Sequence, residues 1–476
     1  MKSTFASFLS GMAMCLITSA PALAQVFGDT PLIVFNANNG THGAELWVSD
    51  GTTAGTRILE DIRPGPGSSD PRHFAVTEDG RAFFSAHDGV HGRELWVTNG
   101  TRGGTYMVAD IRTGAEGSNP VGVTYIGRGR VVFSAIGNNG GREPWISDGT
   151  AAGTFRLVNA NPGSADSYPE YFTRVNDRKF MFSAERNGQT RIWISDGSTG
   201  GTEIIPGPVR EARYFTILDR ERVLFSGEHP VRGREPWVYD ISTGDRPQLL
   251  RDIYSGDSSD PYEYTQLGNG TIVFTARHPN HGVEPYITDG TRAGTSMLRA
   301  LAPGGADSNP RNYTPVTRSA DQLVFSTHPY GPENVPFGLW ITDGTSGGTV
   351  RLHNHLSLDE PSGIARLADK RVVFSAQNRR NANAISRGRT LWATDGTSEG
   401  TTEIFRPNGQ HFNQVNEIKP IGAGFAVFRA LNRNTGWELY LTDGTAQGTS
   451  LLKDTNPSGD GWPMLFAVIQ RMHDHD

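Results

Sequence analysis

The sequence predicts an all-β fold, a β-propeller of about nine four-stranded blades, and three observations carry that expectation. A short segment is rewritten along the whole chain at a nearly fixed period. Each period reads as four short strands joined by tight turns. The two chain ends carry complementary fragments of one unit.

The repeated segment is clearest at Glu45 to Thr56, ELWVSDGTTAGT. Its Asp50-Gly51 recurs as Asn99-Gly100, Asp148-Gly149, Asp196-Gly197, Asp289-Gly290, Asp343-Gly344, Asp395-Gly396 and Asp443-Gly444, with a worn copy at Asp240. Successive positions lie 49, 49, 48, 44, 49, 54, 52 and 48 residues apart. A period of this length marks an array of one supersecondary unit. The composition agrees: 58 glycines, 20% charged residues and turn dipeptides in place of long helical patterns.

The second copy shows the unit. Phe74-Ala75-Val76 forms a short strand, Glu78-Asp79-Gly80 turns it, and Ala82 to Ala86 returns. The loop His87 to Arg93 leads to Glu94 to Thr98, and Asn99 to Gly104 turns into a fourth strand, Thr105 to Ile111. Asp-Gly and Asn-Gly suit such turns because these residues accept positive φ at low cost. The longer segment RTGAEGSNP, Arg112 to Pro120, then crosses to the next unit, with counterparts RPGPGSSDP, NPGSADSYP, YSGDSSDP and APGGADSNP. Leu95/Val97 and Glu94/Trp96 put bulk on both faces of the third strand, as blades covered on both sides require.

The first copy begins at Leu32-Ile33-Val34-Phe35 and lacks a first strand, while Met464 to Val468 supplies a surplus one. A ring closed by the last strand explains both; eight blades plus a stray unit is the alternative count. Lys2, the apolar run from Phe5 to Ile17 and Ala22-Leu23-Ala24 read as a signal peptide, 1–24, with cleavage after Ala24. The propeller then occupies 25–470 and a short His/Asp tail 471–476. The only cysteine, Cys15, falls inside the leader, so no disulfide is expected in the mature chain. That chain carries 43 Lys+Arg against 50 Asp+Glu, a surface unsuited to nucleic acid, and no further segment reads as a membrane span.

Repeats reading ELWVSDGTTAGT, ELWVTNGTRGGT, PWISDGTAAGTF and ELYLTDGTAQGT resemble the bacterial ELWxxDGT-repeat proteins, also described as hyalin-like. The resemblance spans nearly all of the mature chain. It implies a secreted or cell-surface β-propeller and brings no activity and no catalytic residues. The motif glutamate stands at Glu45, Glu94, Glu143, Glu235, Glu284 and Glu438 and is replaced by Arg191, Gly338 and Thr390. Pro144, Pro236 and Pro285 replace its leucine.

Bulk at Trp47, Trp96, Trp145, Trp193, Trp237, Trp340 and Trp392, with Tyr286 and Tyr440 in the same slot, reads as inter-blade packing rather than sugar-stacking platforms. The carboxylates Asp50, Asp148, Asp196, Asp289, Asp343, Asp395 and Asp443, like the motif glutamates, read as acceptors for turn N–H groups. Calcium is the weaker reading, since the spacing is not that of a D-x-D-x-D-G loop.

Alternating strand direction puts the second-to-third-strand loops and the crossings on one face and the Asp-Gly turns on the other. The crossing face holds the variation, and variable loops on a rigid scaffold are where binding concentrates. Seven of 13 histidines fall there, including His42 and the His-Pro pairs at His229, His278 and His328. His87, Asp88 and His91, or His278 and His281, have spacings a transition metal accepts; exposed-turn residues are the competing account. His353 and His355 lie in the same region of the array. The eighth unit has the longest such loop, Gln377 to Thr390, with Arg379, Arg380, Arg387 and Arg389 and no acid, suited to an anionic polymer or a partner's carboxylates; a solvated insertion is the competing account. No G-x-S-x-G, H-E-x-x-H or P-loop occurs. The leading expectation is an exported, non-catalytic scaffold binding a protein partner or a surface glycan through this face, most of all in the seventh and eighth blades. A glycan lyase or hydrolase at the channel mouth and a purely structural surface repeat are the alternatives.

Overall fold

A computed structural model describes residues 31–329, 337–352, 358–368, 370–378 and 388–469. The expected leader at 1–24 and tail at 471–476 lie outside the described residues.

Nine four-stranded antiparallel sheets form a nine-bladed β-propeller, with no helix among the described residues. Blade 2 shows the plan, with strands Arg72–Val76, Ala82–His87, Arg93–Thr98 and Tyr106–Ala109 paired in that order. The first strand of each blade is innermost and, from blade 1 round to blade 9, touches the first strand of the next; the fourth is outermost and short, only two residues at Phe155–Arg156 in blade 3. The turn and crossing faces are therefore those that strand direction predicts.

Blade 1 is assembled from both ends of the chain. Its strands Leu32–Asn38, Ala44–Ser49 and Arg57–Glu60 receive Met464–Ile469 as the missing innermost strand, with Ile33 opposite Val468. Packing closes the ring too. Ile33, Phe35 and Trp47 of blade 1 share a cluster with Val427, Leu439 and Leu441 of blade 9, and Lys453 Nζ donates to the Thr56 carbonyl at 2.7 Å.

The core is a series of inter-blade layers. Leu95 and Val97 of blade 2 pack with Val131 and Phe133 of blade 3, while Trp96 packs the other way, onto Leu46 and Val48 of blade 1. A phenylalanine in each second strand sits directly across from the motif Trp or Tyr, as in Phe35–Trp47, Phe84–Trp96 and Phe274–Tyr286. These phenylalanines are buried, and each contributes about 1.5–3 kcal/mol of transfer free energy. The packing account of the tryptophans holds: Trp47, Trp193, Trp237, Trp340 and Trp392 are buried, with Trp96 and Trp145 partly so. Several indole N–H groups find acceptors, for example Trp47 Nε1 to the Ala37 carbonyl at 2.9 Å.

The turn carboxylates act as expected. Asp148 Oδ1 accepts from Thr150 N at 2.8 Å and Thr150 Oγ1 at 2.7 Å, and the same pair of bonds recurs at Asp50, Asp196, Asp289, Asp343, Asp395 and Asp443. The worn copy keeps it too, through Ser242 and Asp240. The glycine five residues on is required by close approach rather than by φ: a Cβ on Gly153 would lie 2.1 Å from Asp148 Oδ1.

The glutamates require a correction. They do not cap a hairpin but sit fully buried and hold the crossing to the next blade. Glu45 accepts from Ile62 N, Ser69 N and Ser69 Oγ; Glu94 from Arg112 N, Ser118 N and Ser118 Oγ. Glu143, Glu235 and Glu284 repeat this with Ser167, Ser259 and Ser308, and Glu438 uses Thr455. Burial outweighs these bonds and raises Glu45, Glu94, Glu235, Glu284 and Glu438 from 4.5 to about 7.

Candidate functional site on the crossing face

Two surfaces offer sites, the channel wall and the crossing face. The innermost strands share a feature that the sequence does not announce. Each of blades 2 to 9 carries a bulge in its first strand, as between Arg72 and Ala75 or between Tyr262 and Thr265. At one register a residue stands at positive φ: His73, Gly122, Tyr171, Tyr214, Glu263, Asn312, Gly363 and Glu417. Only two of the eight are glycine, so side chains are carried on left-handed backbone at the innermost wall, and bulges re-aim side chains in this way. Neighbours interlock there. Tyr171 and Tyr214 meet edge-on at 5.8 Å, and Glu263 Oε2 accepts from Asn312 N at 2.8 Å. Burial raises Glu263, whereas burial and the charges of Arg93, Arg72 and Arg142 lower His73.

On the crossing face the predicted histidines do not converge. His229 stacks on Trp237 of its own blade and accepts from Val231 N; His278 lies 4.7 Å from His281 and accepts from Asn280 N. His328 Nε2 pairs with Ser326 Oγ at 2.8 Å. His91 Nδ1 bonds Asp88 Oδ2 at 2.7 Å, and His87 Nδ1 accepts from Gly89 N. These contacts build the loops locally. Among the described residues no three His, Cys, Asp or Glu side chains are grouped as ligands of one ion. Arg379, Arg380, Arg387, His353 and His355 lie outside the described residues; the flank of that loop, Gly388-Arg389, lies against the first strand of blade 9, where Val415 N donates to the Arg389 carbonyl at 2.9 Å.

Two pockets on this face are rich in arginine. One, of 260 Å³ between blades 5, 6 and 7, is lined by Arg213, Arg234, Arg277 and Arg311 with Tyr214 and Tyr262. Its charges are largely met: Arg213 and Arg234 face Glu211 at 3.5 and 2.8 Å, and Arg277 faces Asp307 at 3.4 Å. The other, of 440 Å³, lies between the crossing from blade 8 to blade 9 and the second hairpin of blade 9, and is lined by Arg406, Gln410, His411, Asn413, Arg433 and Asn434 among others.

The second pocket rests on a small rigid hairpin. Phe405 and His411 form a bridge, Arg406 N donates to the Gln410 carbonyl at 2.7 Å, and Gly409 turns the chain at φ 77. His411 Nδ1 bonds Glu403 Oε1 at 2.6 Å, which makes Nδ1 the donor to the carboxylate oxygen and leaves Nε2 for a ligand. Arg406 lies over the rings of Phe412 and Tyr440, 4.8 and 5.2 Å from their centroids. Sequence reading missed this hairpin because its residues match no motif. A signal existed in the loss of the motif glutamate from blade 8, since the Ser-containing crossing disappears with its acceptor.

The turn face is less uniform than expected. A depression of 930 Å³ lies on it between the first hairpins of blades 4 and 5 beside the worn copy, lined by Asp177, Arg178, Lys179, Asp219, Arg220 and Glu221 among others. The contraction of the repeat to 44 residues at that point coincides with it.

No protein-family model matches the chain, and no curated protein matches it. Solved structures are similar at the level of the fold. A tricorn protease shares 12% identity over 87% of this chain and 42% of its own, with a TM-score of 0.39. A structural study of two prolyl endopeptidases gives 12%, 74%, 50% and 0.42, and a puromycin hydrolase 13%, 80%, 61% and 0.38. The chain spans less than two thirds of each. Among the described residues no helix is long and apolar enough to cross a membrane.

Proposed function

We propose that this chain is an exported, non-catalytic β-propeller of the ELWxxDGT-repeat type that holds a protein partner or a surface glycan on its crossing face. The observation that carries the reading is the contrast between the two faces. The Asp-Thr turn is rebuilt with the same bonds in blade after blade, including one that has lost its Gly-Thr. The crossing from blade 8, which has lost the motif glutamate, instead diverges and borders one arginine-rich pocket, while a second lies at the crossings that keep Glu235 and Glu284. A rigid scaffold with divergent loops at one end suits recognition. The depression on the turn face is the specific competitor for this role.

Binding of the mature chain, 25–476, to a glycan array and to surface extracts tests the reading, with Arg433→Ala and Arg277→Ala on the crossing face against Arg178→Ala on the turn face. Loss confined to the crossing-face variants is expected. Binding that survives both and falls in Arg178→Ala would move the site to the turn face. Turnover of a bound glycan would replace a scaffold with an enzyme.

A further inference from the structure

We propose that the 440 Å³ pocket at the junction of blades 8 and 9 binds a carboxylate-bearing saccharide, a uronic acid unit of an acidic glycan. The inference deepens the proposed function and rests on the crossing face being the binding face.

Charge singles this pocket out. The arginines of the pocket between blades 5 and 7 largely face acids of the protein, as given above. Arg406 and Arg433 have no carboxylate partner among the described residues, on a chain whose formal net charge is −6. No acid lines the pocket; Glu403 stands behind His411, occupied by its ring. Guanidinium groups match a carboxylate in planar, two-bond geometry; Arg406 gives Nε to the His411 carbonyl and Nη1 to Tyr440 OH, so its remaining Nη2 and the Arg433 guanidinium are the donors that this cavity offers to an anion.

The remaining lining fits the rest of a sugar. The side-chain amides of Gln410, Asn413 and Asn434 make no hydrogen bond among the described residues. Carboxamides both donate and accept, as recognition of a ring of hydroxyls requires, and the free Nε2 of His411 adds an acceptor. A phosphate would use the arginines and leave the carboxamides idle; a neutral sugar would leave both charges unmet.

The parts are held in place before any ligand arrives. Arg406 is fixed between two aromatic rings and by Tyr440 OH at 3.3 Å, His411 by Glu403, and the loop of Asn434 by the Asn432 side chain accepting from Asn434 N at 2.9 Å. Such preorganisation lowers the ordering cost of binding.

Calorimetric titration of the mature chain with trimers of galacturonate, mannuronate and glucuronate, with the methyl ester of the galacturonate trimer, with maltotriose and with a sulfated disaccharide tests the proposal. At least one uronate trimer is expected to bind at least tenfold more tightly than the ester, maltotriose or the sulfated sugar. Arg433→Ala, at an exposed position, is expected to weaken it at least tenfold with an unchanged melting temperature, and Asn434→Ala severalfold. Silence with all three uronates, equal affinity for acid and ester, preference for the sulfated sugar, or wild-type affinity in Arg433→Ala would each overturn it. Ligand capture lost in Arg277→Ala but kept in Arg433→Ala overturns this pocket and leaves the crossing face standing. Capture lost only in Arg178→Ala overturns both.

Discussion

Ser69 donates twice to Glu45: its N–H reaches Oε1 at 2.8 Å and its hydroxyl reaches Oε2 at 2.6 Å. The two residues are 24 positions apart, and the same separation joins Glu94 to Ser118 and Glu235 to Ser259. The pair fixes the point at which the chain leaves one blade for the next. Glu45→Ala would leave the Ile62 and Ser69 N–H groups without an acceptor and the Ser69 hydroxyl with only the Ala44 carbonyl at 3.4 Å, and should cost about 3 kcal/mol; Ser69→Ala should cost about 1–2 kcal/mol. The double variant should cost less than the sum, because one interaction is lost twice. Denaturant melts of the four proteins measure the coupling, and strict additivity would disprove it.

Stability should depend on pH in two windows. Burial raises five glutamates to about 7, so the folded chain holds protons that the unfolded chain releases above 4.5. Their contribution is fully present below pH 4.5 and is lost as pH rises toward 7. The turn aspartates run the other way. The Thr291 hydroxyl holds Asp289 below its ordinary 3.8, as Thr345 does for Asp343, so their contribution is lost as pH falls below that value. Melting temperature should therefore peak near pH 4–5 and decline toward 7.5. In Glu94→Gln the decline should be shallower; an equal slope in variant and wild type would count against the buried-carboxylate account.

The Asp-Gly turns should tolerate an amide and reject a methyl. Asn99 occupies the slot naturally, with Thr101 N donating to its Oδ1 at 3.0 Å, so Asp148→Asn should change stability by less than about 0.5 kcal/mol. Gly153→Ala should cost about 2 kcal/mol or more, since its Cβ would meet the Asp148 carboxylate at 2.1 Å. Thermal unfolding of both variants checks the contrast, and a silent Gly153→Ala would refute it.

Ring closure should fail without the last strand, even though blades 1 and 9 also pack on each other. A chain ending at Pro463 strips the innermost strand from blade 1 and uncovers one edge of Leu32–Asn38. Loss of the cooperative transition, or aggregation through the open strand edge, is expected. A chain ending at Gln470 should melt like the full one. Equal melting of the two truncations would show that the ring closes without this strand.

Much of the architecture was legible in the sequence. The period gave the blades, the Asp-Gly and Asn-Gly pairs gave the hairpins, and the missing first strand at Leu32 with the surplus one at Met464 gave the closure, because strand alternation and turn chemistry are local and repeat with the unit. Local reading also placed the aspartates in their turns and the tryptophans between blades. It misassigned the glutamates: Glu45 is adjacent in sequence to a hairpin but in space to Ser69, and only the assembled crossing shows which donors it takes.

The sequence by itself thus determined the four-stranded repeating unit, the order of its strands, the way the ring closes and which loops share a face, and the structure decided for nine blades over eight. Only the tertiary structure decided which charges are answered. Arg234 meets Glu211 of the innermost strand of its own blade, whereas Arg433 faces an open pocket. It also set side chains such as Tyr214 and Glu263 on left-handed bulges along the channel wall. Periodicity records what every blade needs to fold, whereas the balance of charge and the aim of a side chain depend on neighbours that lie far apart along the chain.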